Sequence, residues 1–287
     1  MALIGSLNSG ISGLQTFSKD LEVIGNNISN VNTTAYKSSR LSFAESFSNT
    51  LRASQPATSS SSNVLAAQVG TGVKFSGINT CYTQGALSTT GQSTDLGISG
   101  EGYFMVRDAS TGTNLSDSLS YATRVGSFRW DDNGYLVTDQ GMRVQDTTGN
   151  DIQLSTLPAG VTRESVSINT AGQVIEFFSD GTNSTTSGTP QQIGLGLFKQ
   201  QGALVREGDG LYTFDSSNLA SGQSLTALGA PGADGVGTVE AGTLEQSNVD
   251  LTSEFANMIT AQRSFQANSR VVTVSDTLLE DIVNLKR

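Results

Sequence analysis

At 287 residues the chain can bury a sizeable core, and its net charge of −10, with a pI near 4.4, disfavours nucleic acid and anionic membrane surfaces as partners. Histidine is absent and Cys81 is the single cysteine, which removes intramolecular disulfides, Ser-His-Asp and Cys-His arrangements and the common zinc sites. Charged residues make up only 15%, and Ser, Thr, Asn, Gln and 32 glycines take their place.

Near the start, Leu7, Leu14, Leu21 and Ile28 recur every seven residues, with Phe17, Ile24 and Val31 three places further on. Such a repeat is the pattern of helices that pack side by side along a seam. From Ala2 to Tyr36 the only charges are Lys19, Asp20 and Glu22, so this helix reads as covered on more than one side. Gly5, Gly10, Gly13 and Gly25 each cost about 1 kcal/mol relative to Ala in a helix interior, but they let neighbouring backbones come close. The segment is a weak helix alone and a close-packed one in company. It should end near Asn30–Thr34, where Asn, Ser and Thr compete with the backbone for hydrogen bonds.

Residues 37–69 read as an arm or linker. Phe43, Phe47 and Leu51 are spaced by four, which suggests a short helix or an ordered arm over 37–55. Pro56 to Asn63 is Ser-rich, and 56–68 is expected to be a linker or a loop ordered only by its neighbours.

Residues 70–249 read as a β-rich body. Tyr103–Val106 follows Gly100 and Gly102 as a short apolar strand. Phe128 and Trp130, a turn at Asp131-Asp132-Asn133-Gly134, and Tyr135–Val137 make a hairpin. Val166 and Ile168, a turn at Asn169–Gly172, and Val174–Phe178 make another. Further strands are expected at Ile193–Phe198 and Leu211–Phe214, with loops at 180–190 and 216–237. Cys81 is expected in a strand as a buried or half-buried small hydrophobe.

Asp250 then stands as an N-cap before a second seven-residue repeat, Leu251, Met258, Phe265, Val272 and Leu279, flanked by Phe255, Ala261, Ile282 and Val283. About 35 helical residues there would span roughly 50 Å. The whole chain is thus expected to be α+β: an antiparallel β-rich body framed by terminal helices, 1–36 and 250–287, that pack together as a discontinuous helical domain. The assembly interface is expected at Leu7, Leu14, Phe17, Leu21, Ile24, Ile28, Leu251, Met258, Phe265, Val272 and Leu279. No stretch reaches the roughly 18 apolar residues of a membrane span, and no cleavable signal peptide is expected.

Catalytic readings fail one by one. Gly97-x-x-Gly100-x-Gly102 and Gly232-x-x-Gly235-x-Gly237 run in the reversed order for a dinucleotide fingerprint, and the first precedes a strand where a helix is needed. They read as turns. Asp131–Gly134 invites a calcium loop, but that alignment puts Arg129 and Gln140 where carboxylates are required. No carboxylate pair for acid-base work emerges from spacing, so no catalytic residue, cofactor or metal is expected.

The stretch Asn26-Asn27-Ile28-Ser29-Asn30-Val31-Asn32-Thr33-Thr34-Ala35-Tyr36-Lys37 closely resembles the N-terminal signature of bacterial flagellar axial proteins, the rod and hook subunits. The resemblance continues through Gly100–Phe104, Arg124–Phe128 and Leu136–Thr138, and returns at Gly242–Leu251 and Met258–Asn268. One departure is Ala35, where many relatives carry Gly at a tight turn. The resemblance implies a helical homopolymer with terminal helices inside and β domains outside. It also implies neighbouring rod and hook-filament junction proteins as partners, and passage through the flagellar type III export apparatus without a cleaved signal. The C-terminal run favours a hook subunit, whereas the chain length and the insertion at 44–72 favour the distal rod; the hook is the expectation. A reading of a different class is a secreted β-domain binding module, which would stay monomeric and lose little on removal of both ends.

Overall fold

In the computed structural model the described residues are 2–54, 56, 62–108, 120–155, 161–183, 191–224, 227–233 and 235–285. They cluster as two compact units: Met1–Val31, Ser38–Cys81 and Val249–Arg287 in one, Asn32–Lys37 and Tyr82–Asn248 in the other.

In the first unit both seven-residue repeats are helical, α1 over Ala2–Ser29 and α2 over Leu251–Leu285. The helices run antiparallel, with Ser6 beside Ser275 at one end and Asn27 beside Glu254 at the other. Asp250 caps α2 as expected: its carboxylate accepts the Thr252 N–H at 3.0 Å and the Ser253 hydroxyl at 2.7 Å. These bonds favour the ionised form and hold the carboxyl below its ordinary value.

Of the two readings open for 37–55, a short helix or an ordered arm, the helix does not form: the segment is extended. β1 (Ser39–Glu45) pairs antiparallel with β4 (Val73–Thr80), and β2 (Ser48–Arg52) with β3 (Ala67–Gly70). The Ser46 N–H to Gly72 carbonyl bond at 2.8 Å and the Thr71 N–H to Phe47 carbonyl bond at 2.7 Å join the pairs into one long ribbon. A four-residue spacing is also a multiple of two, so Phe43, Phe47 and Leu51 fit a strand face as well as a helix face. Ala67 and Gln68, expected in the linker, lie in β3, while 57–61 of that stretch lie outside the described residues. Cys81 also departs from expectation: it follows the end of β4 and is exposed, its N–H bonded to the Ser38 carbonyl.

The second unit is built on antiparallel pairing throughout its described strands. The largest sheet has the order β15 (Val205–Gly208), β16 (Leu211–Thr213), β8 (Ser120–Thr123), β7 (Tyr103–Arg107), β11 (Arg143–Val144), β10 (Leu136–Thr138), β9 (Phe128–Trp130), with β14 (Leu195–Gly196) also on β7. Both expected hairpins form. Leu136 faces Trp130 across the first turn, and β12 (Arg163–Ile168) pairs with β13 (Val174–Phe178) across the second. Of the strand expected over Ile193–Phe198, only Leu195–Gly196 is a strand; Ile193 and Phe198 make single bridges. Every residue of β7 is buried, because it serves two cores. Phe104 and Val106 point into one with Leu96, Ile98 and Leu136; Tyr103 and Met105 point into the other with Phe198, Leu204 and Tyr212. Period-two alternation thus becomes two-sided burial. Two shorter pairs, β6 (Leu96–Ser99) with β17 (Thr238–Ala241) and β5 (Leu87–Thr89) with β18 (Thr243–Glu245), tie the start of this unit to its end.

Candidate functional site

Three features could carry function: the seam between the helices, the apolar side chains exposed outside it, and a buried knot of charge in the second unit.

The seam is close. A Cβ built on Gly10 would lie 3.0 Å from the Val272 side chain, and one on Gly13 only 2.9 Å from that of Asn268. These two glycines admit the partner helix, while the space beside Gly5 and Gly25 is open. Of the residues expected at the interface, Ile24 is buried, and Leu7, Leu14, Phe17, Leu21, Ile28, Met258, Val272 and Leu279 are half-buried. Leu251 and Phe265 are more exposed than the others, at 37% each. The small and polar residues Ala261 and Ser275, buried on α2, and Asn268 occupy the close approach. Phe17 also turns to the ribbon, its ring 5.4 Å from that of Phe43.

Asn27 is a seam residue that the apolar pattern does not reveal. Its amide nitrogen donates to the Ser39 carbonyl at 2.8 Å and to Glu254 Oε1 at 3.2 Å, and its oxygen accepts the Ser39 N–H at 2.9 Å. One buried side chain therefore fixes the end of α1, the start of β1 and the first turn of α2. Burial raises the Glu254 carboxyl above its ordinary value, and the Asn27 hydrogen bond partly offsets this.

A second set of apolar side chains on α2 is largely exposed among the described residues. Phe255, Ile259, Val271, Val274, Leu278 and Ile282 are all exposed, at spacings of three and four over much of the helix. The ribbon adds Phe47 at 81%, with Leu51 and Leu65 each at 73%. Soluble monomers rarely expose contiguous apolar surface on this scale, and such patches mark protein contacts. A two-stranded ribbon exposed on both faces is also marginal by itself.

The charge knot lies inside the second unit. Lys37 and Glu245 are each 1% exposed; Lys37 Nζ reaches Glu245 Oε1 at 2.5 Å and donates to the Thr83 carbonyl at 2.9 Å. The same Oε1 accepts the Gly85 N–H at 2.8 Å, while Oε2 takes Arg124 Nη1 at 3.2 Å. Arg124 in turn donates to the Gly102 and Gly100 carbonyls at 2.9 Å each and lies over the Tyr103 ring. Gly100 and Gly102 have φ of +112° and +135°, a backbone that only glycine adopts readily, so the two carbonyls owe their direction to those glycines. Backbone bonds reinforce the knot, Ala35 N–H to the Glu245 carbonyl at 2.8 Å and Asn248 N–H to the Tyr36 carbonyl at 3.3 Å. Arg206, on β15, donates to the Lys37 carbonyl and stacks on Tyr36. The tight turn expected at Ala35 is present: this buried residue has φ +55°.

None of this resembles a reaction centre. Every charged group of the knot is spent on another protein group, and the rest of the chemistry is apolar contact. Four of the signature stretches, remote in sequence, supply Lys37, Gly100 with Gly102, Arg124 and Glu245, and so converge on one point.

Three family profiles match the chain. They are described as flagella basal body rod protein (residues 7–37), flagellar hook protein FlgE/F/G D1 domain (97–176) and flagellar basal body rod FlgEFG protein C-terminal (240–285). The flagellar basal-body rod protein FlgG of Bacillus subtilis is 39% identical over 99% of this chain and its own full length. That of Borreliella burgdorferi is 32% identical over the same shares. The flagellar hook protein FlgE of Borreliella burgdorferi is 24% identical, in an alignment that runs to 454 residues. These relatives fit the distal-rod alternative better than the expected hook. A rod protein matches end to end without added length, whereas the hook protein carries a long stretch that this chain lacks.

Proposed function

This chain belongs to the flagellar rod and hook family of axial structural proteins, and on that premise we propose that it is a distal-rod subunit of the flagellar basal body. Copies polymerise into a stiff helical tube. Leu7, Leu14, Phe17, Leu21, Ile24, Ile28, Met258, Val272 and Leu279 then hold the helix pair of each copy together. Leu251 and Phe265, with the outward stripe of α2, meet neighbouring copies. Other rod and hook proteins cap the tube at its ends, and the subunit arrives through the type III export apparatus.

The observation that carries the rod reading over the hook is the end-to-end match with rod proteins, at a length without the hook protein's extra stretch. The exposed ribbon supports it mechanically. Phe47, just before β2, Leu51 on β2, Leu65, just before β3, and Val69 on β3 are exposed, and a neighbouring copy would cover them. Apolar contacts that interlock neighbours resist sliding, and a hook must let its contacts slide as it bends. The test is electron microscopy of polymers grown from purified protein. Straight, stiff tubes that become curved and flexible when Pro56–Asn63 is deleted are expected. Wild-type tubes that are already curved and flexible would overturn the rod reading, and dispersed particles at every concentration would overturn the axial one.

A further inference from the structure

The knot at Lys37, Arg124 and Glu245 holds together the two places where the chain leaves the β unit for its terminal helices. Residues 32–37 and 242–248 are bound side by side by it, although Lys37 and Glu245 are 208 residues apart. The helices themselves begin only a few residues beyond, α1 ending at Ser29 and α2 starting at Leu251. We propose that this knot is an assembly clasp: Lys37, Glu245 and Arg124 are positioning residues that bring the roots of α1 and α2 together before the helices pair.

The physical gain is in loop closure. The β5–β18 pair already ties Leu87 to Glu245, so without the clasp pairing α1 with α2 closes a loop of about 64 residues, or about 23 while β1 and β4 are paired; with it, the connection shortens to about 14. Closure probability falls with about the 3/2 power of loop length, so the clasp raises the local concentration of one helix at the other about two- to tenfold. That matters because α1 is a poor helix alone, with four interior glycines and little charge. Burial suits the task, since a salt bridge at the surface would be screened and intermittent, whereas Lys37 and Glu245 are closed off from water. The fastening is also doubled: Arg206 grips the Lys37 carbonyl and the Tyr36 ring from outside, independently of the buried charges.

The proposal rests on the polymer-subunit reading for its purpose, but its test does not need polymer. Ser6 Oγ and Ser275 Oγ lie 3.4 Å apart across the helix pair. In the full-length chain carrying Cys81→Ser, Ser6→Cys and Ser275→Cys, the equilibrium for disulfide formation in a glutathione buffer reports how readily the two ends meet. Protein is kept dilute, and sedimentation verifies that it is monomeric. Lys37→Met removes one buried cation and leaves Arg124 and Glu245 as a neutral pair, so the β unit should stay folded, as Trp130 fluorescence would report. A fall in effective concentration of about two- to tenfold, with recovery in Lys37→Arg, is the expected result. Arg206→Met, on the exposed edge strand, should lower it a few-fold without touching the buried charges. If Lys37→Met fails to fold, Arg206→Met decides alone. An unchanged effective concentration in the folded variants overturns the clasp, whether or not the wild-type protein forms tubes; wild-type protein that never forms tubes overturns the subunit reading instead.

Discussion

Replacing Glu245 by Gln is the sharpest perturbation of this fold, because the carboxylate is shared by two buried cations. Its Oε1 receives Lys37 Nζ at 2.5 Å and the Gly85 N–H at 2.8 Å, and its Oε2 receives Arg124 Nη1 at 3.2 Å. The amide keeps the shape and part of the hydrogen bonding but removes the only negative charge of the knot. Breaking a buried ion pair from one side costs about 3–5 kcal/mol, since the remaining charge stays uncompensated. Here two cations are left, yet each retains backbone carbonyls, Thr83 for Lys37 and Gly100 and Gly102 for Arg124. A total of about 4 kcal/mol therefore fits better than twice the single-pair figure. A unit of roughly 170 residues has a stability on the order of 8–25 kcal/mol, so the variant should still fold. With a urea slope of about 2–3 kcal/mol/M, the midpoint should move down by roughly 1.5–2 M. Trp130, the chain's single tryptophan, lies in β9 against the larger core and reports this transition by its fluorescence. Lys37→Met leaves a balanced pair and should cost clearly less. A midpoint shift below about 0.3 M for Glu245→Gln, or a larger loss for Lys37→Met than for Glu245→Gln, would refute the assignment of the knot as a charge-balanced tie.

Three further outcomes are expected. Ala35→Gly should raise the stability of the β unit by about 0.5–1 kcal/mol in calorimetry, because relief of the left-handed strain at φ +55° outweighs the extra chain entropy of glycine. Phe265→Asp should abolish sedimentable polymer while leaving the Trp130 transition within about 0.5 kcal/mol of wild type, since that side chain is already partly in water; Leu14→Asp, inside the seam, should lose helix pairing as well. Asp250, whose carboxyl is held below its ordinary value by Ser253 and Thr252, stabilises the start of α2 fully above the usual aspartate range. That contribution is lost as pH falls through the lowered folded value, so amide protection factors at the first turn of α2 should fall below about pH 4 and be low at all pH in Asp250→Ala.

The helical frame was legible because a seven-residue repeat belongs to the chain itself. What the repeat does not say is whose surface covers each residue. Phe265 continues the same period as Met258 and Val272, yet it stays partly in water while Asn268, facing Gly13, sits at the close approach. Hydrophobicity marks avoidance of water, and the partner is set by distance between backbones. Hairpins at Asp131–Gly134 and Asn169–Gly172 were legible from turn chemistry, which is local. The ribbon at 39–80 was not, because a spacing of four satisfies both periods and its pairing spans a long tip. Hidden too was the charge knot. Lys37, Arg124 and Glu245 are single ionic residues in separate stretches, and an ionic residue in sequence reads as surface until the fold closes over it. The available hint was that each falls within a signature stretch otherwise poor in charge.

A chain whose two ends are fastened together is topologically a ring. Material added anywhere on the circumference enlarges the ring without moving the fastening, so a subunit of this design can gain whole outer domains between Phe128 and Gly242 while both roots keep their places. The longer hook relative is what such growth would leave behind. Added material would disturb the fastening directly only at the four short stretches that carry Lys37, Gly100, Arg124 and Glu245.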